Sequence, residues 1–594
     1  MSTLTWVLAG FLAFWLGAAA LRARGVLPAS VRVYGPLVSL HTKRGRAFLE
    51  RVAAPKRFWR AWGNVGLGVA LVVMVGALVA LLLAVVLRVQ NPPPAGNPLQ
   101  QPRNALVIPG VNDFFPPAAA PEILFGLAVA LVVHEAGHGI LCRVEDIDIE
   151  SMGLVFLTLV PAGAFVQPDE ESAEAADRGA RSRMFAAGVT NNFALTIVAL
   201  LLLFGPVAGS LGVVSGATVG GALPGSPAAQ AGIGQGDVIV GIENRSVASN
   251  EDLDEVLRDL RAERVRVERR EGGDLTVERE VLVTANVDDG PIDLDTNTTV
   301  VAVNGTSVAT TADLYGVLEG TPVATFHTAA GETVTAPAGA YVSVAPDGPL
   351  SVAGAPNSTA VVTSVGGERT VTMDDFADGL EAHDPGDAVN VTLYVDGEPA
   401  TYNVTLGEGS DGPEDAHLGV YLLGPGVSGM TVSDFGAETY PAGRYLGLLG
   451  GDCPDCDAFG GLSLGLRLYF VFTLPFIGVA GIPALPYNFA GFVGPVADFF
   501  VVSGPLGFLG SGVAFLVANL LFWTAWINVN LAFFNCIPTF LLDGGHILRA
   551  SVEGAVSRLP VVDKRRVVTA ATVTVQLVML GSLLLLLFGG QLLA

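Results

Sequence analysis

The sequence predicts a polytopic α-helical membrane protein interrupted by an α+β insert, and three observations predict it. Mean hydropathy is +0.54 over 594 residues, of which 51% are hydrophobic, too apolar for a soluble chain of this length. Six apolar runs are near the roughly 20 residues that cross a bilayer as a helix. Between the fourth and the fifth, Gly209–Gly461 is polar, acidic and internally repetitive.

The first run, Leu4–Leu21, is followed rather than preceded by basic residues, so it reads as a retained helix and not as a secretory signal. Arg22–Arg60 holds ten Lys/Arg against the single acid Glu50, and by the positive-inside rule it faces the cytoplasm. Trp62–Leu87 crosses next and completes a two-helix segment, residues 1–88. Ile123–Leu141 and Met184–Phe204 follow, within residues 121–208. Alternation then places Arg143–Arg183 in the cytoplasm and the insert outside, making it extracytoplasmic. Met152–Glu170 is too short and proline-broken for a crossing and reads as a short amphipathic cytoplasmic loop. Residues 462–548 contain the fifth run, Val513–Phe534, preceded by apolar sequence broken by "TLPF", "IPALPYN", "VGP" and "SGP", which predicts short or re-entrant segments. The last run, Val567–Phe588, lies in residues 549–594. The basic stretch Arg549–Arg566 returns to the cytoplasm if an odd number of crossings separates it from the insert.

The insert carries 39 acidic side chains against ten arginines, a net charge of −29, which leaves +5 for the remainder of the formal −24. A surface of that sign repels phosphate and excludes nucleic acid as a partner. With only three lysines in the chain, it suggests a halophilic protein, a well-solvated domain being the plain alternative. Three stretches share a β-rich run, a turn and a short amphipathic helix: "VIVGIENRSVASNEDLDEVL", "VVAVNGTSVATTADLYGVL" and "VVTSVGGERTVTMDDFADGL". Asn244, Gly305 and Gly367 occupy the turns, with Leu253, Leu314 and Phe376 each nine residues on, at offsets of 61 and 62 residues. The first unit, with "ALPGSPAAQAGIGQGDVIVGIENRSV", resembles a PDZ domain of the kind attached to bacterial envelope proteases. That resemblance implies peptide capture by strand addition over residues 209–285. The rest, 286–461, reads as degenerate PDZ-like copies in tandem, either peptide-binding or spacers. Cys453 and Cys456 form a "CPDC" suited to a disulfide or a metal clip, whereas Cys142 and Cys536 read as small buried apolar residues.

The chemistry concentrates in "ALVVHEAGHGIL", Ala130–Leu141. Four residues apart on a helix, His134 and His138 project from one face and can reach one metal, with Glu135 beside them to hold a water. Lipid makes three ionisable side chains in such a run costly unless they work. A catalytic zinc normally has three protein ligands, so a third is expected in another membrane segment. "NCIPTFLLDGGH", Asn535–His546, offers Asp543. The plain alternative is an Asp capping a helix that starts at Gly544, and His546, nearer the basic end, is an alternative ligand.

"HEAGH" in one membrane helix, "AAGVTNNF" in the next, the PDZ-like insert and "NCIPTFLLDGG" together resemble the site-2 protease family of intramembrane zinc metalloproteases. The resemblance implies one Zn2+ per chain held by His134, His138 and Asp543, with Glu135 as the catalytic acid/base. It further implies that Asn192 holds substrate, although Val189 stands where the family usually has proline. Asn535 is a second candidate for substrate binding. For both asparagines a structural interhelical hydrogen bond is an equal alternative. Met152–Glu170 becomes, by resemblance, a membrane-dipping hairpin lining the access path. The implied function is hydrolysis of peptide bonds within or near transmembrane helices of membrane-protein substrates, with the lipid bilayer as surroundings. A transporter or metal permease, or an inactive relative that binds membrane proteins uncut, are the competing readings.

Overall fold

The computed structural model describes residues 3–28, 30–34, 37–42, 44–91, 101–104, 107–112, 114–157, 160–408, 416–451, 461–540 and 542–592. Cys453 and Cys456 lie outside them. The chain divides into two compact units: residues 1–212, 443–494 and 501–594 form one, and residues 213–442 with 495–500 the other.

In the first unit, α1 (Thr3–Ala23) leads through the hairpin β1 (Val31–Tyr34) and β2 (Leu37–His41) to α2 (Arg44–Ala53) and α3 (Lys56–Gln90). Then come α4 (Ala120–Val144), the hairpin β3 (Ile149–Leu157) and β4 (Val160–Pro168), α5 (Glu170–Ala175) and α6 (Arg178–Leu202). After the insert, the long helices are Ser511–Cys536, Asp543–Ser557 and Lys564–Leu592. Five helices among the described residues are long and apolar enough to cross a membrane, starting at Lys56, Pro117, Arg178, Ser511 and Lys564, so the chain is an integral membrane protein. The expected first span, Leu4–Leu21, is helical within α1 as well.

The expectation of broken segments before the fifth run holds. Residues 464–510 contain a ten-residue helix, Leu464–Thr473, and short 3-10 turns at Leu474–Ala480, Gly494–Phe499 and Gly504–Leu509. Among these described residues no helix is long enough to cross.

Within Met152–Glu170, where a hairpin and an amphipathic loop are the two expectations, the described residues form the paired strands β3 and β4. These belong to a four-stranded antiparallel sheet in the order β1–β2–β3–β4, in which β2 pairs with β3 from Leu37 opposite Leu157 to His41 opposite Gly153. The N-terminal hairpin thus covers one edge of β3 and leaves β4 as an end strand. The start of α6 is set by Asp177, whose side chain accepts from the Ala180 N–H; that bond holds its carboxyl below the usual carboxylate range. Glycines let α4 approach its neighbours. A Cβ at Gly137 would lie 2.6 Å from the Ala187 carbonyl oxygen on α6, and one at Gly126 would lie 2.9 Å from the Trp523 carbonyl oxygen, the close backbone approach that membrane helices use in place of a hydrophobic drive.

The second unit consists of three antiparallel sheets of the same design. The first has the strand order 275–278, 264–269, 238–242, 217–222, 437–439; the second 333–337, 323–328, 299–303, 281–286, 430–433; the third 398–405, 388–395, 359–365, 340–344, 420–422. Each carries one of the repeat helices, Asn250–Asp259, Thr311–Glu319 and Met373–Glu381. Their starts fall where Ser249, Thr310 and Thr372 accept from the backbone N–H three residues on. Leu253, Leu314 and Phe376 are buried in the three separate cores.

A tandem row of closed units with a boundary at 285/286 does not describe this arrangement. Strand 281–286 belongs to the second sheet, and every sheet is completed by a strand returning after the third unit, in reverse order: 420–422 closes the third, 430–433 the second, 437–439 the first. The units are nested. Two arginines, one buried and one half-buried, join them. Arg279, 2% exposed, donates to the Leu257 and Leu260 carbonyls at the end of the first helix and to Asp434. Asp434 also accepts from the Thr311 N–H and hydroxyl of the second unit. Arg369 donates to the equivalent carbonyls one repeat later, Leu318 and Thr321. Each donates to carbonyls at the end of a repeat helix, where the last turn leaves backbone acceptors in need of donors.

Candidate metal centre

The His134 and His138 side chains project from α4 towards α6 and are 6% and 8% exposed. The Nδ1 of His138 is 2.8 Å from the Met184 carbonyl oxygen. A carbonyl only accepts, so Nδ1 carries the proton and Nε2 presents a lone pair. That lone pair faces the Nε2 of His134 at 3.1 Å. Asp543 supplies the third corner: its Oδ2 is 3.1 Å from His134 Nε2 and 3.3 Å from His138 Nε2, with no hydrogen-bond donor to it.

Three donor atoms at these separations match a tetrahedral zinc, for which bonds of about 2.0–2.1 Å imply ligand–ligand edges of about 3.3–3.4 Å. Buried acceptors facing one another without donors are otherwise unfavourable. The residues present therefore fit a zinc ion, and the observation that says so is the orphaned Asp543 oxygen turned to two imidazole nitrogens.

Local sequence explains how Asp543 arrives there. It is the first residue of its helix, and the capping position is Leu542, which makes no side-chain cap, so the capping role is not adopted. The two glycines after it allow the helix start to press on the preceding turn: a Cβ at Gly544 would collide with the Cys536 carbonyl, and one at Gly545 with that of Thr539. Glu135 offers a ligand atom that groups with those of His134 and His138, all three within 4.8 Å of one another, but its Oε2 accepts the Val166 N–H of β4 at 2.7 Å. It stands beside the triangle, held by the end strand.

The other expected residues divide. Asn192 is brought to the centre: fully buried, its amide lies 3.4 Å from His134 Nδ1. Asn535 is turned to its own helix, donating to the Leu531 carbonyl at 2.9 Å. His546 stacks on Phe185, ring centroids 4.2 Å apart and planes within 4°, and is not one of the three atoms of the triangle. Three participants escaped the sequence. Met184 and Val166 act through backbone atoms, which no residue type signals. Gly188 leaves space, since a Cβ there would meet both imidazoles at 2.7 Å.

The match to peptidase family M50 runs over residues 122–580. It takes in α4 with its histidine pair, the β3–β4 hairpin, α6 and the Asp543 segment, and leaves only the N-terminal helices and the last residues outside. A family match over most of the chain, joined to this geometry, identifies it: the protein belongs to peptidase family M50, the site-2 protease family of membrane metalloproteases.

Proposed function

We propose that this chain is an intramembrane zinc endopeptidase that cuts membrane proteins within or beside their transmembrane helices, the chemistry of regulated intramembrane proteolysis. The observation that carries the reading is the His134–His138–Asp543 triangle, set among helices long enough to span a bilayer. A zinc ion held by these three residues supplies a Lewis acid that polarises a peptide carbonyl and acidifies water. Glu135 takes the proton of the attacking water and returns it to the leaving nitrogen, and its bond from Val166 keeps the carboxylate aimed.

A substrate helix must unwind before attack, and its freed backbone groups need partners. Strand β4 is the end of its sheet, and its Val166 N–H already points away from β3 to Glu135. An extended substrate segment pairing along that edge would run past the acid/base. The insert acts as a filter on the outer side. Charge asymmetry supports that side, as does the presence of a single crossing-length helix between the insert and Arg549 among the described residues. The PDZ-like first sheet would capture a newly exposed C-terminus or exclude substrates that keep bulky outer domains.

The test is cleavage of a helix-bearing substrate by the purified protein in lipid, with and without a chelator. The reading expects loss on chelation and recovery with zinc. Cleavage that survives full metal removal would overturn it, and metal flux across vesicles without cleavage would mark a permease instead.

A further inference from the structure

We infer that Asn192 is a positioning residue for the metal centre: its amide oxygen accepts the Nδ1–H of His134 and so fixes the tautomer that turns Nε2 towards His138 and Asp543. The inference rests on the zinc reading above and departs from the expectation that Asn192 holds substrate.

The two imidazoles need the same thing from their surroundings. Each must keep its proton on Nδ1 for Nε2 to serve as a ligand, and a ligating histidine is usually held by an acceptor on its other nitrogen. His138 finds one in the Met184 carbonyl, at 2.8 Å. Along α6, antiparallel to α4, the same stripe recurs every four residues: Met184, Gly188, Asn192. Met184 faces His138, Gly188 lies against both rings, and Asn192 lies against His134. The Asn192 main-chain carbonyl already accepts from the Thr196 hydroxyl at 3.0 Å. The side-chain amide, 3.4 Å from His134 Nδ1, is then the group of Asn192 placed to accept from His134.

A carboxamide presents oxygen or nitrogen in the same shape, and the hydrogen-bond network decides between them. With nitrogen towards the ring, the Asn192 oxygen is buried without a donor, and the His134 proton is forced onto Nε2, where it occupies the lone pair that a metal ligand must offer. Turning the oxygen to Nδ1 removes both conflicts together. Asn192 is fully buried behind the ring, a place suited to holding His134 and not to receiving a peptide.

The experiment uses full-length protein in detergent and compares the parent with Asn192→Leu, which keeps the volume but has no acceptor, and Asn192→Asp, which keeps the acceptor. Zinc affinity is read by chelator competition, melting by scans in excess chelator, and KM and kcat at saturating zinc. Asn192→Leu should weaken zinc binding by about 10- to 100-fold, with metal-free melting unchanged, and Asn192→Asp should restore affinity to within a few-fold. Parent-like zinc affinity in Asn192→Leu, with a raised KM, overturns the inference in favour of substrate binding. A lower metal-free melting point in Asn192→Leu, with no recovery of zinc affinity in Asn192→Asp, overturns it in favour of a purely structural role. A parent that binds no zinc overturns the proposed function first, and this inference with it.

Discussion

Gly188→Ala adds one methyl group, and the structure says where it goes. It would sit 2.7 Å from His134 Cε1, 2.7 Å from His138 Nε2 and 2.8 Å from His134 Nε2. Ordinary carbon contacts fall at about 3.5–4.0 Å, so both rings must withdraw by about 1 Å. Parting the helices would open the close backbone packing that Gly137 of α4 allows against the Ala187 carbonyl of α6, so the side-chain rings are the softer element. The rings yield, and they yield out of the triangle. Overpacking of this kind costs about 1–3 kcal/mol, which at about 1.4 kcal/mol per factor of ten is a loss of about 5- to 150-fold in zinc affinity. Helix propensity pulls the other way, since Ala is favoured over Gly within a helix by about 0.5–1 kcal/mol. That gain belongs to the whole fold, with or without metal. The expected signature is therefore split: weaker zinc binding by chelator competition, and a metal-free melting temperature that is unchanged or higher. If Gly188→Ala binds zinc and cleaves substrate like the parent, the reasoning from ring crowding is wrong.

Glu135→Gln keeps an oxygen to accept the Val166 N–H, so the variant should retain zinc and fold while cleavage falls to background; substantial turnover would remove Glu135 from its proton-transfer role. Asp543→Ala should lose zinc by elemental analysis, whereas His546→Ala, whose ring stacks on Phe185, should keep it. Arg279→Met strips one partner from a buried pair and leaves Asp434 uncompensated, a loss of about 3–5 kcal/mol that should appear as faster hydrogen exchange across residues 213–442, with much of it recovered in the double variant Arg279→Met/Asp434→Leu. Replacing residues 213–442 with a flexible linker should preserve cleavage of a short substrate and relax discrimination against one with a bulky outer domain; a folded, zinc-loaded product that cuts neither would end the filter idea.

The centre was legible in the sequence because its residues violate the local rule. His134, Glu135 and His138 interrupt an apolar helix, and the unmatched histidine pair is what set Asp543 apart from an ordinary helix cap before Gly544. The helices of the insert were legible from the repeated run, turn and amphipathic stretch, with Leu253, Leu314 and Phe376 at offsets of 61 and 62 residues; their caps at Ser249, Thr310 and Thr372 came from the structure. What stayed hidden depends on partners far along the chain or on the main chain. The pairing of Leu37–His41 with Gly153–Leu157 joins segments that carry no mutual signature. Asn535 sits in a motif, but its helix supplies its own acceptor at Leu531. The closing strands, three or four residues each between positions 420 and 439, are too short to show a pattern, and so the repeats read as tandem.

Nesting also dictates the order in which this insert can be completed as the chain is made. When residue 422 emerges from the synthesis machinery, all five main strands of the innermost sheet exist, from 340–344 to 420–422. The outer two sheets are still open, each with one free edge, on strand 281–286 or 217–222, awaiting a partner made later. Assembly runs from the inside outwards, and the longest-exposed edge belongs to the first sheet, whose last partner, 437–439, is made shortly before the chain returns to the membrane helices. A strand left open that long is a hazard for association with other chains, and the −29 charge of the surrounding sequence offers protection during that wait, since chains of like sign repel one another before their edges can meet.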